Sequence, residues 1–260
     1  MAIVIGFVGM AVLASWLTPY DPIKQNLTKT MLPVFSAGHP LGTDEIGRDL
    51  FSRILYGARV SIGIGVTTIL IAMLVGTTFG LVAGYFGGLA DNLIMRATDL
   101  LMTFPSLILG ICIVSILGPG LTNSALAVVI FSIPIFARVS RVETLHIRTT
   151  EYVEAAKALG VRDRWNILTH VLPNILSPII VLGTLNVGNA IVTIASLGFL
   201  GMGAQPPSPE WGAMLSNGRK FIMLAPHIVL VPGAFLFVFV LALNLLGDGL
   251  RDSLDPTLQN

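Results

Sequence analysis

Glu151–Asn174 reads EYVEAAKALGVRDRWNILTHVLPN. This charged, helix-prone segment stands between stretches that are nearly pure hydrocarbon, and that contrast decides the fold. Trp165–Pro209 contains no Lys, Arg, Asp or Glu, and neither does Leu100–Ala137 on the other side. Val60–Ala90 and Phe221–Gly247 are two further runs of this kind. A spanning helix needs about 20 apolar residues, so each run holds one span or two. Of the 260 residues, 54% are hydrophobic and 11% charged, with a mean hydropathy of +0.84. Soluble domains carry about 25% charged residues. The chain therefore reads as an all-α, polytopic membrane protein. A net charge of +1 gives no footing for a nucleic-acid partner. The single cysteine, Cys112, rules out an intrachain disulfide.

Working outward, the pattern predicts six spans, near Ala2–Leu17, Ser61–Tyr85, Leu100–Leu117, Asn123–Ala137, Ile175–Leu197 and Ile228–Leu246. The first is short and lacks the basic start of a signal peptide, so a first transmembrane helix is the better reading. The third and fourth are short and contain Pro105 and Pro134; a re-entrant hairpin competes there. In the second span Ala72, Gly76, Gly80, Gly84 and Gly88 recur every four residues. Such a strip lets another helix approach closely. It serves either packing within the bundle or a sliding surface between subunits. With both termini inside, Arg96, Arg138, Arg141, Arg148, Lys157, Arg162, Arg164 and Arg251 lie in inner loops. Lys24, Lys29, Arg48, Arg53, Arg59, Arg219 and Lys220 lie outside. Eight against seven barely engages the positive-inside rule.

Within the opening segment, Glu151 and Glu154 suit the positive end of a helix, and Ala155, Ala156 and Ala158 are strong helix formers. Gly160 stands where a left-handed cap would close that helix. Val153, Ala156 and Leu159 fall near one face, and Glu151, Glu154 and Lys157 near another. Glu154 and Lys157 can pair at helical spacing. Asp163 can cap a second helix ending at Leu172, before Pro173. The unit suits the cleft of a partner, and it equally suits a lipid surface, where basic-aromatic segments such as Arg162–Trp165 sit well.

Glu154-Ala155-Ala156, Gly160 and Leu172-Pro173 resemble the EAA loop of ABC importer permeases, with His170 where the family pattern has isoleucine. The resemblance implies that Glu154, Ala155, Ala156 and Gly160 couple to a cytoplasmic ATPase, with Glu151, Val153, Lys157, Leu159, Leu172 and Pro173 beside them. It implies that this loop is cytoplasmic. His39–Ile62, Ser196–Leu215 and Gly247–Pro256 are similar to the second permease of dipeptide, oligopeptide and nickel-type importers. The fold implied by the resemblance is a type I importer transmembrane domain. Residues 1–17 would be the first span, 18–57 an extracytoplasmic loop with an interfacial helix, 58–247 the permease domain and 248–260 a cytoplasmic tail. The implied partners are a second permease, two ATPases that hold ATP-Mg, and an extracytoplasmic binding protein. Arg48, Asp49, Gln205, Glu210 and Trp211 would meet that protein, although Gln205–Pro209 also reads as a plain rigid turn. Trp211 reads as a membrane-interface anchor.

Gly198, Gly201 and Gly203 match no nucleotide motif, so ATP hydrolysis falls to another chain. His39, His146, His170 and His227 are too scattered for a metal site. Asn186 and Asn189 should face a bundle interior or a wet path, because lipid offers no hydrogen bonds. A stand-alone secondary transporter would bury ionisable residues near the midplane, and the spans hold none. An intramembrane enzyme would need a catalytic constellation, and none is recognisable.

Overall fold

In hydrocarbon every backbone polar group must be satisfied within its own segment, which leaves helices as the available solution for apolar runs. The computed structural model describes residues 1–254, and among them no strand forms. The expected tail beyond residue 254, with the end of the Gly247–Pro256 stretch, lies outside the described residues. The helices are α1 (Ala2–Val12), α2 (Ala14–Leu17), α3 (Leu50–Phe86), α4 (Gly88–Met102), α5 (Ser106–Leu117), α6 (Leu121–Ile147), α7 (Glu151–Ala158), α8 (Asp163–Asn166), α9 (Leu172–Phe199), α10 (Trp211–Gly218) and α11 (His227–Leu254). The helices α3, α6, α9 (with α8 as its lead-in) and α11 are each long and apolar enough to cross a membrane. The pair α4 and α5 passes the same test only when taken together, with the geometry of a broken span or of a re-entrant loop, and α1 is apolar but only 11 residues long.

Three details depart from the sequence reading. The third span does not run straight from Leu100: α4 and α5 meet at 92° across Thr103–Pro105. Proline drives the residue before it out of the helical region and removes a backbone donor. The fourth span is not short, since α6 carries Pro134 inside its 27 residues. The helix beginning at Asp163 does not stop at Leu172. It passes through a π turn, Ile167–Val171, directly into α9. Pro173 cannot donate to a carbonyl four residues back, and the wider turn carries the chain past that missing bond.

The glycine strip packs inside the bundle. A methyl group on Gly76 would lie 2.6 Å from the Ile133 carbonyl oxygen and from Phe136 Cβ, and one on Gly84 2.8 Å from the Arg141 carbonyl oxygen. Gly80 meets Ala137 and Ser140 in the same seam, and Ala72 is fully buried. The backbones of α3 and α6 therefore touch. Gly88 is not part of this strip: α3 ends at Phe86, Gly88 has φ +58°, and a Cβ there would meet nothing within 4 Å. The pairs Asp91–Arg141 and Asp99–Arg138 then hold α4 along the C-terminal half of α6.

At the opposite end, residues 18–49 and 200–226 fold onto each other. The charges before α3 do not form an exposed interfacial helix. They lie in irregular chain, apart from one short 3₁₀ turn at Leu27–Lys29, and Asp49 caps α3 by accepting from the Ser52 N–H at 2.8 Å. Arg53, 1% exposed, donates to the Pro22 carbonyl at 2.9 Å and the Ser208 carbonyl at 3.2 Å, and lies 3.5 Å from Asp44. Such a fork of donors joins three segments at one point. Burial makes the exposed helix untenable, because unpaired charges out of water are costly and here they find partners.

Candidate functional site

The loop between α6 and α9 is built on a helix that closes as its glycine predicts. Gly160 has φ +81°, its N–H bonds the Lys157 carbonyl, and the Val161 N–H bonds the Ala156 carbonyl. This is the Schellman closure, and it needs a left-handed residue at that position. Val153 (2% exposed) and Ala156 face the bundle, where Val153 joins a core with Val171, Ile175 and Ile179. Glu151, Glu154, Ala155, Lys157 and Gly160 all face outward. Leu172 packs partly into the same core, and Pro173 is exposed.

Leu159 corrects the amphipathic reading. It follows the last residue of α7, so it leaves the buried face and stands 85% exposed. Together with Val161, Trp165 and Leu168, also exposed, it gives the outer surface of the loop an apolar rim around Glu154 and Lys157. Those two charges do not pair with each other among the described residues. His170 packs edge-on to Tyr152, ring centres 6.3 Å apart. The imidazole therefore fills a place beside α7.

Sequence reasoning missed the group that fastens this loop. The Tyr85 hydroxyl at the end of α3 donates to Asp163 at 2.9 Å and accepts from Asn166 Nδ2 at 3.2 Å; the same amide nitrogen reaches the Val153 carbonyl at 3.3 Å. Arg148 donates to the Gly84 carbonyl at 2.8 Å. Asp163 lies 78 residues from Tyr85 along the chain, and no periodicity links them. The one available hint was Asn166, a polar residue flanked by Trp165 and Ile167.

At the opposite end, four of the five residues expected to meet a binding protein are interior. Arg48 is held by Asp44 and Glu45, and Asp49 by His39. Glu210 caps α10 through the Gly212 and Ala213 N–H groups, and Trp211 is 0% exposed, its indole donating to the Ile54 carbonyl. The Trp211 ring packs among Phe7 and Phe239 rather than anchoring at a membrane interface. Gln205 alone of the five is exposed. Among the described residues no group of three or more His, Cys, Asp or Glu is placed to hold a metal.

Against known proteins, residues 76–260 match the family described as "Binding-protein-dependent transport system inner membrane component". The chain is 47% identical over 254 residues to the glutathione transport system permease protein GsiD of Pectobacterium atrosepticum, covering 97% of this chain and 84% of that one. It is 46% identical over 260 residues to the dipeptide transport system permease protein DppC of Alkalihalophilus pseudofirmus, covering 100% and 85%. A chain of the inward-facing MetNI methionine ABC transporter shares the fold, with a TM-score of 0.62 at 17% identity over 79% of this chain and 98% of that one. The type I importer architecture, the multi-pass helices and the family match agree, and the chain belongs to the inner-membrane permeases of binding-protein-dependent ABC importers.

Proposed function

We propose that this permease receives the work of ATP hydrolysis through the outward face of α7 and imports a peptide or a related small solute. The observation that carries the reading is the Schellman-closed helix whose Glu154, Ala155, Lys157 and Gly160 face out while Val153 and Ala156 anchor it. A rigid helix with a charged centre and an apolar rim is suited to a cleft in a soluble partner. That partner is a pair of cytoplasmic ATPases carrying ATP-Mg, so the loop and both termini belong on the cytoplasmic side. A second, homologous permease completes the path. A binding protein delivers cargo at the opposite end, where Gln205 and the surface of the 18–49 and 200–226 cap meet it. Residues 58–247 form the working unit of the proposal, with 1–17 as an added span. Cargo of the dipeptide or glutathione kind is supported by the names of the relatives.

The test uses the reconstituted complex of both permeases, both ATPases and the binding protein in proteoliposomes. Glu154→Arg reverses the central charge, and Gly160→Ala strains the closure by about 1–2 kcal/mol, the cost of a left-handed alanine. Both should retain ATP hydrolysis and lose uptake, whereas Gly160→Asn, which tolerates that conformation, should recover much of it. Normal uptake by Glu154→Arg sinks the coupling assignment. Uptake by the purified chain alone, driven by an ion gradient, would favour the secondary transporter instead.

A further inference from the structure

The elbow between α4 and α5 opens a cavity of about 420 Å³ against α6 and α9, at the depth of the spans. Its polar lining comes from three helices: Ser106 of α5, Ser132 of α6, and Asn186, Asn189 and Thr193 of α9. Ser196 extends the α9 set. These four positions follow at intervals of three, four and three residues, which is one face of a helix. The hydroxyls of Thr193 and Ser196 turn back onto carbonyls one turn earlier, as does the Asn186 nitrogen toward Leu182. Asn189 is exposed, and its carboxamide bonds to no described residue. An unpartnered amide facing lipid tails would cost roughly 2–7 kcal/mol. The α9 face is therefore a poor lipid surface and a good wet one. Among the described residues no charged side chain lines the cavity, and apolar side chains that include Leu101, Met102, Phe104 and Phe131 make up the rest of its wall.

We infer that the Asn186–Asn189–Thr193–Ser196 face of α9, with Ser106 and Ser132 opposite, is this chain's wall of the transit path. It holds a hydrated solute by uncharged hydrogen bonds, leaves the solute's ionic groups unpaired, and offers a bare metal cation no charged ligand. The inference rests on the importer reading for its direction of transport, and on the cavity alone for its wetness. Amides and hydroxyls donate and accept along the length of a solute, and a wall without fixed charge has no sign of its own to impose.

Thiol accessibility tests it without a known cargo. Cys112 is exposed, so the background is Cys112→Ser. Asn186→Cys, Asn189→Cys and Thr193→Cys are placed singly in the complete importer, with Leu70→Cys and Leu74→Cys as controls at exposed apolar positions of α3. The probes are a cationic and an anionic methanethiosulfonate reagent, applied with and without ATP. The three α9 positions should react in at least one nucleotide state, the controls should not, and the two reagents, each rate divided by that reagent's rate with a free thiol in solution, should differ by less than about tenfold, since fixed charge steers ions by more than that. If the α9 positions are as inert as the controls in every state, the wall assignment is overturned. A sign preference above about tenfold overturns its uncharged character. Failure of the ATPases to bind or respond would strike the coupling proposal and leave these rates unchanged.

Discussion

At the residue scale, single side chains separate positions that tolerate change from positions that do not. Gly76 and Gly63 sit on the same helix, yet a methyl on Gly63 would meet nothing within 4 Å. Gly76→Leu should cost about 1–3 kcal/mol by overpacking. Gly63→Ala should be neutral or gain up to about 1 kcal/mol from helix propensity. Thermal unfolding of the solubilised complex compares them, and equal effects would refute the seam. Arg53 is a second such residue. Arg53→Ala takes the donor from the Pro22 and Ser208 carbonyls and leaves Asp44 with Arg48 as its arginine partner, and each lost hydrogen bond to a charged group costs about 1.5–3 kcal/mol. Its level in membranes should collapse, and Arg53→Lys should restore only part, because one ammonium cannot reproduce the fork. Wild-type accumulation of Arg53→Ala would show that the cap does not depend on it.

At the scale of elements, the fastening of α7 and α8 to α3 is the link that matters. Tyr85→Phe removes the bond to Asp163 and the acceptor for Asn166, at about 1 kcal/mol for each bond. The ring remains, so packing is kept. If the hydroxyl only stabilises the fold, hydrolysis and uptake should fall together. If it positions the coupling helix, uptake per ATP should fall by about fivefold for each bond lost, up to about thirtyfold for both, with hydrolysis near normal. The elements also show where pattern reading succeeds. Glu151–Ala158 and its Gly160 closure were legible, because alanine content and a left-handed glycine act locally. The exposure of Leu159 was not, since a helix ending one residue earlier turns a buried position into a rim.

At the scale of the whole molecule, composition was enough to establish helices in a membrane, because charge-free runs of this length have few other stable forms. The glycine strip announced a close helix contact, and Asn186 and Asn189 announced a polar surface. Which helix met the strip, and that the asparagines opened on a cavity under the α4–α5 elbow, depended on packing between segments far apart in sequence. The charged stretch from Asp44 to Arg53 shows the division most clearly. As sequence it is a string of ionisable groups and reads as a solvent-facing surface. Folded, it is buried against Pro22 and Ser208, because the 18–49 and 200–226 segments close over it and supply its partners. Local rules act through neighbours in the chain, so the sequence alone determined the membrane class, the closure of α7 and the seam's existence. The fate of a charge or a large side chain depends on what covers it, and that was decided only by the tertiary structure.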